Sequence, residues 1–353
     1  MKLHRLPMRV VFGLFLVLTI GFAKGQDVHF TLYQMTPLAF NPANTGGFYG
    51  SYRLSGLYRD QYRSVTGAGA YQTPTFSVDV PVIRGFKETD WVGVGMYFFS
   101  DKSGDAGLTM STFKISAAYH WAMNKKGTSI LSIAYQTGSL QREITDKSKL
   151  RFEDQLIQNL PQLPTSVEDP NIKTNKEGFL DHVGGLKFTS KLNKTDEFTI
   201  GVAAGKFGRP NWSVLNMGGN YQVDPRVHAQ IGLTTLMSDK VKFLPNISYQ
   251  KIMGSAANTF VFQGLFDYLY NKEKQTVLKG GIGYRSGAGI GDAIQIMLGA
   301  DIKEIRVMFG YDINVSPLSG ASSSVGGFEI AAQYVGRIYK RPKPDPIIFC
   351  PRF

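Results

Sequence analysis

The sequence predicts an all-β fold, a transmembrane antiparallel up-and-down β-barrel of about 14 strands carrying an extended periplasmic C-terminal tail. Three observations carry that reading. Apolar and polar residues alternate with a period of two, the links between alternating stretches are short and long in turn, and the composition is poor in charge but rich in glycine and aromatics. Charged residues are 19% of the 353 and aromatics 12%, with 39 glycines. Soluble domains average about 25% charge and about 7% glycine. Disorder needs low hydrophobicity with high charge, the opposite balance. A helical membrane protein is excluded too. The longest nearly apolar run, Val10 to Ala23, falls short of the roughly 20 residues a spanning helix needs.

Lys2, Arg5 and Arg9 precede that run, and Ala23-Lys24-Gly25 follows it with small residues at the two positions a signal peptidase reads. Residues 1–25 are therefore expected to be a secretory signal peptide cut before Gln26. Part of the +12 formal charge sits on this leader. No cysteine lies near the cut to carry a lipid anchor, and the sole cysteine, Cys350, cannot form an internal disulfide.

Residues 26–50 precede the first strand. Their core, Met35 to Gly47, holds Pro37 and the Asn41-Pro42 step, which favour turns and extended backbone over helix. This segment is expected either in the barrel lumen or along the periplasmic rim.

The barrel is expected over residues 51–339. Between Ile305 and Val315 the odd positions Ile305, Val307, Phe309, Tyr311, Ile313 and Val315 are apolar or aromatic, and the even ones include Arg306, Asp312 and Asn314. A strand sends the two sets to opposite faces, whereas a helix scatters them. The same alternation runs through Ile294 to Ile302 and Phe328 to Tyr334. Fourteen strands are expected, starting near Tyr52, Thr75, Trp91, Leu108, Thr128, Asp181, Glu197, Pro225, Val241, Asn258, Thr276, Ala293, Ile305 and Gly326.

Even-numbered strands mostly hand over through tight polar turns such as Asn124 to Gly127, Asn193 to Asp196 and Lys303-Glu304. Odd-numbered strands mostly hand over through longer loops, Asp60 to Ala70 and Ile144 to Gly178 among them. Short turns on the periplasmic side and long loops outside is the outer-membrane barrel pattern. An even strand count then puts both termini in the periplasm. Closure is physically required, because an open edge in lipid strands backbone donors and acceptors at several kcal/mol each. Trp91, Tyr97, Phe98, Phe99, Tyr119, Trp121, Tyr268 and Tyr270 lie near strand ends and are expected to form an interfacial girdle. The Ile144 to Gly178 loop joins a charged, helix-compatible piece, Asp146 to Leu160, to one broken by Pro161, Pro164 and Pro170. Its length marks it as an external partner site, a lid or a mobile tip.

Chemistry is missing. The five histidines are dispersed and show no metal spacing, and no Gly-x-Ser-x-Gly elbow is present. Gly287 to Gly291 opens no helix and reads as a loop, not a dinucleotide fingerprint. Arg285, Asp301, Arg306, Asp312 and Glu329 are expected to line the lumen. No catalytic residue, cofactor, metal or nucleic acid is expected; outer-membrane lipid is.

The tail, residues 340–353, carries Pro342, Pro344, Pro346 and Pro351, which forbid a central barrel strand. Phe349, Cys350, Pro351, Arg352 and Phe353 are expected to grip a partner as an extended periplasmic peptide.

The chain resembles the PorP/SprF family of outer-membrane proteins of the type IX secretion and gliding machinery. The stretches that carry the resemblance are Phe30 to Gly47 (FTLYQMTPLAFNPANTGG), the Tyr58-Arg59-Asp60-Gln61-Tyr62 exit of the first strand, Gly310-Tyr311-Asp312 with Gly326 to Tyr334, and the terminal Cys350-Pro351-Arg352-Phe353. Asn41, Pro42, Ala43 and Gly46 are the family-motif positions of the first stretch. The Asn41-Pro42-Ala43 step alone also resembles a feature of fatty-acid-transporter barrels. The resemblance implies a non-enzymatic barrel that retains or displays a secreted adhesin or filament protein through its C-terminal sorting domain. It also implies contact with periplasmic motor or peptidoglycan-binding components. A channel or hydrophobic-solute transporter is the competing expectation.

Overall fold

The computed structural model describes residues 29–84, 89–146, 149, 176–210, 222–255, 258–287, 290–317 and 319–338. Its strands are β1 (Tyr52–Gln61), β2 (Tyr71–Arg84), β3 (Trp91–Ser103), β4 (Leu108–Ala122), β5 (Ser129–Ile144), β6 (Lys176–Lys191) and β7 (Glu197–Gly205), followed by β8 (Arg226–Ser238), β9 (Val241–Ile252), β10 (Asn258–Asn271), β11 (Thr276–Gly287), β12 (Ile290–Ile302), β13 (Ile305–Asn314) and β14 (Val325–Gly336). Each is antiparallel to its sequence neighbours. The sheet closes where β1 meets β14 in register from Tyr52↔Gly336 to Gln61↔Gly327. Closure leaves no strand edge, the condition for a sheet in lipid. All fourteen expected strands are present. Among the described residues no helix is long and apolar enough to cross a membrane.

The alternation read from the sequence sorts the two faces as a membrane demands. On β13 and β14, Phe309, Tyr311, Phe328 and Ile330 point outward and are exposed, while Asp312 and Glu329 point inward and are buried. The barrel is thus greasy outside and polar inside, and Gln295 and Glu329 are 0% exposed.

Period two also corrects the aromatic girdle. Phe98, Tyr119, Trp121, Tyr268 and Tyr270 are outward and exposed, but Tyr97 and Phe99 share the opposite face of β3 and are buried in the lumen. Trp91 lies on that same inner face and donates its indole N–H to the Gly46 carbonyl at 2.9 Å. Nearness to a strand end is not enough for a girdle residue, since parity decides which solvent it meets.

Three strands begin earlier than the sequence suggests. β2 starts at Tyr71, ahead of Pro74, β6 starts at Lys176, and β12 starts at Ile290. Pro74 is accommodated because β1 pairs through it (Tyr58↔Pro74) while the ladder to β3 skips from Gln72↔Lys102 to Thr75↔Phe99. Pro245 sits inside β9 in the same way: it pairs with Gly264 of β10, and the ladder to β8 skips from Gly232↔Asn246 to Thr235↔Phe243. A proline lacks the N–H for one neighbour and is tolerated where that side of the ladder is interrupted. Of the Gly287 to Gly291 stretch, Gly287 ends β11 and Ile290 and Gly291 open β12, while residues 288 and 289 lie outside the described residues.

Candidate functional site

Residues 29–50 occupy the lumen. They enter near the long-loop ends of β10 and β14 and descend to the short-turn end, where Gly50 precedes β1. Three helical turns, Tyr33–Met35, Pro37–Phe40 and Pro42–Asn44, build the segment. Two of them start on proline, whose missing N–H costs nothing at a helix start. At the joint between the second and third turns Asn41 is extended, and its Oδ1 accepts the Ala43 amide at 2.9 Å, a side-chain cap.

The motif residues form the lower grip. The Asn41 amide also donates to the carbonyls of Leu186 on β6 (3.1 Å) and Val202 on β7 (3.3 Å). Close approach needs a bare wall. A Cβ on Gly185 would lie 2.3 Å from Asn41 Oδ1, and Ala43 packs on Ala118 and Ala134. Pro42 is buried in the same place. Gly46 adopts φ +68, and a Cβ there would sit 2.6 Å from the Gly93 Cα; one on Gly93 would meet the Thr45 carbonyl at 2.3 Å. The two backbones therefore touch.

Polar residues the sequence reading did not single out complete this grip. Asp79 accepts the Gly46 amide at 2.7 Å and pairs bidentately with Arg53 at 2.9 and 2.7 Å. Arg53 also donates to the Asn44 carbonyl (3.0 Å), and Lys187 donates to Asn44 Oδ1 (2.9 Å). His120 Nε2 lies 2.8 Å from the Thr45 carbonyl and its Nδ1 2.7 Å from Ser132 Oγ. A carbonyl only accepts, which assigns the proton to Nε2 and leaves Nδ1 to accept from the serine. These residues share the inward parity of their strands, and that parity is the signal that finds them.

The upper grip is ionic. The Glu329 carboxylate accepts the backbone amides of Thr31 and Leu32, both at 2.7 Å. It also pairs with Arg59, which lies 3.0 Å from Asp312 Oδ2. Asp312 accepts the Thr31 hydroxyl and is 2.9 Å from Arg285, which pairs again with Asp292. Gln263 donates to the Thr31 carbonyl and to Gln295, each at 2.8 Å. Inward polar residues of β10, β12, β13 and β14 thus bind two residues of the segment directly, and Arg59 of β1 and Arg285 of β11 brace them through Glu329 and Asp312. Arg306 and Asp301, also expected in the lumen, pair at 2.7 and 2.8 Å and join Lys279 and Asp267 nearer the short-turn end.

Three of the four family-like stretches meet here: Phe30 to Gly47 is the plug, and Arg59, Asp312 and Glu329 are its upper holders. The fourth does not enter this site, because Phe349, Cys350, Pro351, Arg352 and Phe353 lie outside the described residues, as does most of the Ile144 to Gly178 loop. Among the described residues no cluster of His, Cys, Asp or Glu has the make-up of a metal site.

Fold and site together define a plugged, 14-stranded membrane β-barrel of the outer-membrane type. The CymD monoaromatic hydrocarbon channel is similar in fold, with 14% identity over 90% of this chain and 96% of that one and a TM-score of 0.50. The toluene transporter TodX of P. putida gives 10% identity, 85% and 93% coverage and a TM-score of 0.50. At such identities the likeness is one of fold. No curated protein matches in sequence. The sequence profile of the type IX secretion system membrane protein family PorP/SprF matches residues 22–334, and the chain belongs to that family. The matched region takes in the plug and its holders and stops before the tail.

Proposed function

We propose that this barrel is a non-enzymatic anchor of the type IX secretion apparatus, holding the C-terminal domain of a secreted surface protein at its long-loop end. Its other end then meets periplasmic secretion, motor or peptidoglycan-binding proteins. In this reading residues 1–25 are a leader removed on export, the short turns and the C-terminus face the periplasm, and Lys340 to Phe353 dock there. The expectation that both termini are periplasmic is given up for the N-terminal side, because His29 lies beside Thr259 at the long-loop end. The observation that carries the reading is the plug. Buried ion pairs and backbone contacts hold it from two sides, an arrangement suited to a platform and not to an open pore. Family membership supports the link to secretion.

A hydrophobic-solute channel is the second reading. The fold likeness to a monoaromatic hydrocarbon channel favours it, and it requires the plug to move or to leave a path. Purification from gently solubilised membranes separates the two. The anchor reading predicts that a secreted protein with a C-terminal sorting domain copurifies, and that deleting Lys340 to Phe353 leaves a folded barrel without its periplasmic partners. Solute uptake by reconstituted protein, with no copurifying secreted protein, would reverse the choice.

A further inference from the structure

The plug leaves part of the long-loop half of the lumen unfilled, as a cavity of about 80 Å³. That is room for a few waters or the terminal carboxylate of a chain, and falls short of the roughly 300–1,000 Å³ of a pocket that swallows a whole ligand. Phe30, Tyr33 and Phe40 of the plug bound it on one side, so a ligand entering from the long-loop end meets a floor instead of a passage.

Its strand walls have two characters. Tyr97, Phe99 and Met110 form an apolar flank, and Lys114, Lys206 and Arg226 form a basic one. No Asp or Glu is among the described residues lining it. Lys114 Nζ lies 2.6 Å from Asp181 Oδ2, and the other oxygen of that carboxylate accepts the Lys206 amide at 3.0 Å. Lys206 and Arg226 both lie close enough to Lys114 to act on it electrostatically. With Lys114 answered by Asp181, Lys206 and Arg226 give this side of the space its basic character, and a basic lining favours an anion.

The neutral lining selects the kind of anion. Thr112, Gln136, Ser248 and Gln250 present hydrogen-bonding groups between the two flanks. The Tyr33 hydroxyl, on a side chain only 8% exposed, lies beside Ser248 without a well-formed hydrogen bond to any described residue. Burial pushes its ionisation well above that of an ordinary tyrosine, so it is a neutral donor. An acyl chain would desolvate these groups and return no hydrogen bonds. The end of a polypeptide brings its own amides and carbonyls to satisfy them.

We propose that this cavity binds the C-terminal carboxylate of an extended peptide, the carboxylate on the Lys206 and Arg226 side and the last apolar side chain against Phe99 and Met110. The proposal rests on the anchor reading and names the chemistry by which the secreted partner would be held. The experiment is calorimetric titration of the full-length barrel with acetylated hexapeptides whose last two residues are randomised, as free acids and as C-terminal amides, and with decanoate. Free acids are expected to bind at least about tenfold tighter than amides, a difference of about 1.4 kcal/mol. Arg226→Gln with Lys206→Gln should abolish that preference, and Arg226→Lys should keep it.

Equal binding of acid and amide, no peptide binding, or decanoate binding ahead of every peptide would each overturn the proposal. The copurification experiment separates this failure from that of the anchor reading. If the doubly substituted barrel still retains the secreted protein, the carboxylate site is wrong and the anchor stands; if the unsubstituted barrel retains none, the anchor itself falls.

Discussion

The two grips on the plug use opposite physics. The lower one, from Asn41 to Gly47, works first by proximity: Gly93 and Gly185 strip the wall so that backbone meets backbone, and the hydrogen bonds of Asn41 and His120 and the charge-assisted ones of Arg53, Asp79 and Lys187 then fit around that contact. The upper one works by charge, with Arg59, Arg285, Asp312 and Glu329 buried together and closing on the amides of Thr31 and Leu32. A proximity grip fails when something is added, whereas a charge grip fails when something is removed. The upper grip also spans six strands, so it ties the plug to the seam between β1 and β14 where the barrel closes.

Breaking the charge grip has the largest expected effect. Glu329→Ala removes the partner of Arg59 and of two plug amides, and truncating one member of a buried pair costs roughly 3–5 kcal/mol. The expected outcome is a lowered urea midpoint together with protease cleavage within residues 29–40 of an otherwise folded barrel. Overpacking the proximity grip comes next. Gly93→Ala places a methyl against the Thr45 carbonyl, and such crowding costs roughly 1–3 kcal/mol. It should lower the thermal midpoint while leaving the Thr31 end protected.

Asn41→Ala loses the cap and two wall contacts but leaves no buried charge, so about 0.5–2 kcal/mol is expected. Combined with Gly93→Ala it should be non-additive, since both act on one grip. The smallest effect is a pH one outside the lumen. In the β6–β7 turn the Asn193 amide, followed by the Thr235 hydroxyl, holds the Asp196 carboxyl below its ordinary value. A lowered folded value means that this contribution is complete above the ordinary aspartate pKa, about 3.9, and is lost as pH falls through the folded value. Stability of the wild type should therefore fall with acid in that window relative to Asp196→Asn, and parallel curves would show that the turn contributes nothing.

Much of the wall was legible in the sequence, because a period of two is local: the odd and even sets of Ile305 to Val315 already name the lipid and lumen faces of β13. Where the reading erred, it set parity aside. Tyr97 and Phe99 are expected with Phe98 in the girdle although a strand must separate them; separately, β2 is expected from Thr75 although its pairing with β1 already begins at Tyr71. The plug was legible only as a choice between lumen and rim. Its decisive contacts are between residues such as Thr31 and Glu329, far apart in the chain, and nothing in the local pattern of Phe30 to Gly47 says which strands will supply them. The family-like stretches marked Arg59, Asp312 and Glu329 as notable, but only the closed barrel brings them to one point. Asp79, His120 and Lys187 were missed because each is a single inward polar residue with no motif around it.

Current through the purified barrel in a planar bilayer tests the central claim, that residues 29–50 are pinned as a plug, most directly. Full-length protein is predicted to be silent, with Glu329→Ala showing intermittent openings and deletion of residues 29–47 a steady conductance. A steady conductance of the unmodified barrel, unchanged by either alteration, would contradict it.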